Sequence, residues 1–128
     1  MTDPTTLLAL AERCEQAAGP DRELDCHIHA LIEGRNIRPE RWIETVRLHD
    51  HAVPRYTASL DAAVTLVPEG YYWQAANGKR RHSEPQACAD LFVAHGPNRG
   101  DMSFTADAAT AALALCAAAL RVRAAAYE

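Results

Sequence analysis

Lysine is almost missing from this chain: of its thirteen basic residues only Lys79 is a lysine, and the others are arginines. A basic excess is missing as well. Seventeen acidic residues outweigh the basic ones and leave a formal net charge of -4, which speaks against a general binder of duplex nucleic acid. Residues 1–64 hold seven basic and eleven acidic side chains and the remainder six of each, so neither half is a cationic arm. There is no long hydrophobic run. The longest, from Ala111 to Leu120, is alanine-dominated, spans about half of what a membrane helix needs, and is followed by Arg121 and Arg123. The opening MTDPTTLLALAERC carries an acidic residue where an export signal carries positive charge, and a cytoplasmic location, in a host cell, is the expectation.

Several chemistries lack their motif. Cys14, Cys26, Cys88 and Cys116 contain no CxxC pair, so neither a zinc ribbon nor a thioredoxin-like centre is suggested, and free thiols are expected. Cys14 and Cys116 fall on apolar helical faces, where cysteine acts as a small hydrophobe. There is no GxSxG elbow, no HExxH and no glycine-rich phosphate loop. No catalytic residue, cofactor or metal is assigned on these grounds, and the expectation is a protein that binds rather than transforms.

What is present is ordinary globular material. With 128 residues, 48% of them hydrophobic and 23% charged, the chain suits one domain over residues 1–128. Asp3 and Pro4 open a helix lined by Leu7, Leu8, Ala11, Cys14 and Ala18 and stopped at Gly19-Pro20. Asp21 caps a second helix, striped by Leu24, Ile28, Leu31 and Ile32 and ending at Gly34, which completes a helical hairpin over 4–33. Residues 35–55 alternate around Trp42 to Leu48 but carry enough charge to be a surface loop or an edge strand, and remain open. A helix-strand-strand-helix unit follows over 57–126. It begins with a helix capped by Thr57 or Ser59, with Leu60, Ala63, Val64 and Val67 as its stripe.

The period then shortens to two: YYWQAA and QACADLFVA read as strands joined through Asn77-Gly78, and MSFTA as a third. A closing helix, capped by Asp107 or Thr110, buries Ala109, Leu113, Cys116, Ala117 and Leu120. The fold class is therefore α+β, a small, mostly antiparallel sheet of about three strands packed between helices, in the manner of an α/β/α sandwich.

Three constellations have chemical interest. Asp25, Cys26 and His29 share a helix and, with His49 and His51, have the donor types zinc prefers, but at no established ligand spacing; structural side chains are the commoner outcome. Glu84, Asp90, His82 and His95 surround the hairpin as acid–base groups or, more simply, as a polar rim. The third group is aromatic and basic: Arg55-Tyr56, the YYW of the first strand, and Lys79-Arg80-Arg81-His82. Aromatic faces stack on a base and arginine forks grip phosphate, so Arg55, Tyr56, Trp73, Arg80 and Arg81 form a candidate site for a small anionic ligand. Alternation puts Tyr72 on the face opposite Tyr71 and Trp73.

The segments VPRYTASLDAAVTLVPEGYYW and ATAALALCAAALRVRAA, with the opening LLALAERCEQAAGPDRELD, resemble a family of small phage and prophage proteins described as having a phage ABA-sandwich domain. The likeness spares about residues 35 to 52 and the hairpin. It implies a sheet between helices and a phage accessory role, without catalytic residues to carry over. The resulting expectation is an anti-defence protein that sequesters a small anionic ligand such as a cyclic nucleotide signal, with homo-oligomerisation open. Two alternatives stand beside it: a protein-binding module that presents helices or a strand edge to a host protein or a phage structure, and an enzyme degrading a nucleotide signal with His49 and His51.

Overall fold

The computed structural model describes residues 3–33, 37–77, 87–93 and 103–126. Helix α1, Pro4–Gln16, starts where expected: the Asp3 carboxylate accepts from the Thr6 backbone N–H at 2.8 Å, and Pro4 takes a position whose N–H would have no helical partner. Its buried face is Leu7, Leu10, Ala11 and Cys14. Leu8, expected in that stripe, is 43% exposed, and Leu10 takes its place. Helix α2, Arg22–Glu33, is capped by Asp21, whose Oδ1 accepts from the N–H groups of Glu23 and Leu24.

The open segment 35–55 contains neither a strand nor an unstructured loop over its middle. It holds a third helix, α3, Pro39–Leu48, followed by one 3-10 turn, Asp50–Ala52. Pro39 opens α3, Glu40 lies in its first turn and Arg47 in its last, a charge order that suits the helix dipole. No residue of α3 is fully buried; Trp42, Ile43 and Val46 are half-buried and face α2. Helix α4, Leu60–Val64, is a short helix capped by Ser59, which accepts from Ala62 N–H. Thr57, the other expected cap, is instead a buried ligand of α2. Within the expected stripe Ala63 is buried, Leu60 is exposed, and Leu66, beyond the helix, reaches the core.

Gly70, at φ 93°, turns the chain into the sheet in a conformation that disfavours side chains. Strands β1, Tyr71–Asn77, β2, Ala87–Val93, and β3, Phe104–Ala108, form one antiparallel sheet in the order β1-β2-β3. The third strand lies two residues later than its sequence pattern suggested. Register is unbroken from Tyr71 opposite Val93 to Asn77 opposite Ala87, and from Ala87 opposite Ala108 to Leu91 opposite Phe104.

Alternation gives the sheet two faces. Ala87, Ala89 and Leu91, all buried, share one face with Ala106 and Ala108 and meet helix α5, Ala111–Ala125; Tyr72, Phe92, Gln74, Asp90 and Cys88 lie on the other. Helix α5, capped by Thr110, is the innermost element. Every residue from Ala112 to Leu120 is buried, because α5 packs against the sheet and also against α1 and α4. An all-round apolar helix of small residues suits that place, since alanine lets neighbours approach closely. The α+β class, a three-stranded antiparallel sheet packed against helices, is the one the sequence predicted. No described helix is long and apolar enough to cross a membrane.

Candidate functional site

Two places concentrate functional side chains: a polar cluster where α2 meets residues 50–57, and the outer edge of β1. The first is built on Asp25, which is 2% exposed. Its Oδ1 accepts from the backbone N–H and the hydroxyl of Thr57 at 2.8 and 2.7 Å, and its Oδ2 from Arg22 Nη1 at 3.1 Å. The Thr57 hydroxyl in turn accepts from Asp21 N–H at 2.9 Å. Arg22 also gathers the turn after α3: Nη1 donates to the Pro54 carbonyl at 3.1 Å, and Nη2 to the carbonyls of Val53, at 2.7 Å, and Asp50. A buried carboxylate satisfied in this way is a structural staple, holding the 50–57 segment to the first turn of α2.

One helical turn further, His29 is 6% exposed. Its Nδ1 lies 3.2 Å from the Tyr56 hydroxyl and its Nε2 3.6 Å from Glu33 Oε1, and its ring meets Trp42 edge-on at 4.5 Å. Burial, with the negative charges of Glu33 and Asp25, pushes the Tyr56 phenol up to about 12. Cys116 donates its thiol to the Tyr56 carbonyl at 3.2 Å, so α5 is tied to the same segment. Hydrogen bonding to Cys14, then burial, holds the Cys116 thiol well above its ordinary range, and burial raises that of Cys26. These are protonated, enclosed thiols rather than nucleophiles.

The five residues expected to hold an anionic ligand are placed very differently. Arg55 is exposed and pairs with Asp50, whose carboxyl it draws below the usual range. Tyr56, the next residue, is 3% exposed and its hydroxyl is used by His29, so its ring is core rather than an open stacking platform. Trp73 lies on β1, 38% exposed, and no hydrogen bond, ion pair or ring contact among the described residues joins it to Arg55 or Tyr56. Arg80 and Arg81 lie outside the described residues, with Lys79, His82, Glu84 and His95.

The metal constellation is split. Asp25 is committed to Thr57 and Arg22, His29 adjoins Tyr56 and Glu33, and His49 and His51 contact each other edge-on in the exposed turn after α3. Among the described residues no group of three His, Cys, Asp or Glu side chains is placed to hold a metal ion. The Arg22–Asp25–Thr57 staple has no local sequence signature, because its partners lie 32 residues apart.

The second place is the edge of β1. Its outer edge pairs with no strand among the described residues, and the strand carries no charge, no proline and no bulge. Tyr72, 54% exposed, stacks on Phe92 at 5.9 Å, while Tyr71 packs edge-on against Phe104. Trp73 is on the helix side of the sheet, opposite the fully buried Leu91, yet keeps more than a third of its surface exposed. Comparison with protein-family models, with curated proteins and with solved structures finds no match.

Proposed function

We propose that this protein works by binding another protein, and that the edge of β1, with Tyr72 and Trp73, is the binding surface. One observation carries the reading: a seven-residue edge strand, exposed at Tyr72, Gln74 and Ala76 on its outer face and at Trp73 on the helix side, and free of the lysine, proline or bulge that usually blunts such an edge. Unpaired backbone N–H and C=O groups along an edge are completed by an added strand, and aromatic side chains supply the contact area that holds it. The buried polar groups support a binding role over a chemical one, since Asp25 and Thr57 spend their hydrogen bonds on each other and on Arg22.

The test is photocrosslinking inside cells, with a benzophenone side chain in place of Tyr72 and, as control, in place of Arg13 on the exposed side of α1. An adduct from position 72 that position 13 does not give supports the reading. The absence of any adduct from position 72 refutes it.

A second reading keeps the exposed Arg55 and Trp73 in view: a phage accessory protein that sequesters a small anionic ligand, such as a cyclic nucleotide immune signal, with Arg80 and Arg81 as further contacts. Tyr56 leaves that set as a stacking group because it is buried. Thermal melting against a panel of cyclic di- and trinucleotides separates the two readings. A ligand at a hundredfold excess over its dissociation constant adds about 2.7 kcal/mol of stability, and intact ligand recovered afterwards distinguishes sequestration from degradation.

A further inference from the structure

We draw no further inference here: the strongest candidate, the sheet face opposite α5 on which Tyr72 stacks against Phe92 beside Gln74 and Cys88, carries nothing because nothing in the structure shows what covers it.

Discussion

Thr57 presents both its backbone N–H and its hydroxyl to a single oxygen of Asp25, at 2.8 and 2.7 Å, across 32 residues of sequence. The other carboxylate oxygen takes Arg22, so one buried acid fixes the start of α2, the turn after α3 and the approach to α4 in a common frame. Removal of one member strands the others away from water, which costs more than the bond itself contributes. Asp25→Ala should therefore destabilise the fold by about 3 kcal/mol or more, and Thr57→Val by about 1–2 kcal/mol. Urea midpoints measure both. A change under half a kcal/mol, on the order of a typical surface substitution, would mean that Asp25 is not the staple described.

Tyr56 gives a pH signature. Its phenol is pushed up to about 12 in the folded state by burial and by Glu33 and Asp25, whereas the unfolded chain titrates near 10. Because the folded value is the higher, the stabilisation from keeping Tyr56 protonated is fully present below pH 10. It is lost as pH rises towards 12, a change of roughly 2–3 kcal/mol. Tyr56→Phe lacks this component. The stability gap between wild type and Tyr56→Phe, measured by urea unfolding at neutral and at strongly alkaline pH, should shrink on the alkaline side; a gap that is constant with pH would contradict the assignment.

The elements visible in the sequence are those whose signals are local. Asp3 with Pro4, Ser59 and Thr110 are caps within four residues of what they cap, and the shift to period two at YYWQAA needs only its own side chains. Helix α3 escaped because no residue of it is fully buried: Trp42, Ile43 and Val46 are half-covered among charged neighbours, and alternation masked the 3.6 period. Pro39 followed by Glu40 was its available signal. Tyr56 beside Arg55 reads locally as a ligand grip, but its ring belongs to the core and its hydroxyl meets His29, 27 residues earlier. Leu8 and Leu10 exchange roles for a related reason, since which flank of an apolar stripe is covered depends on the partner helix α5.

Gly70 isolates a backbone effect. A Cβ built there meets nothing within 4 Å, so crowding is not at issue; the φ of 93° is. Gly70→Ala should cost about 1 kcal/mol through the left-handed backbone alone, and Gly70→Asn less, because asparagine tolerates positive φ better. Thermal melts of the two variants check the order. Equal losses would point to the turn relaxing instead of holding its conformation into β1.

The thiols should separate sharply by accessibility. Cys14, Cys26 and Cys116 are each no more than 1% exposed; burial holds the Cys26 thiol above its ordinary range, and hydrogen bonding with Cys14, then burial, does so for Cys116. Cys88 is half-buried on the sheet face opposite α5, across from Ala76 on one side and Asp107 on the other. A thiol reacts as its thiolate and only where reagent reaches it, so alkylation of the native protein should mark Cys88 first and the other three only on unfolding. Peptide mapping after iodoacetamide treatment, with and without denaturant, reads this directly. Early labelling of Cys14 or Cys116 would mean that α1 opens away from α5 in the native state, and would place the weakest packing of the fold at its core helix rather than at the sheet.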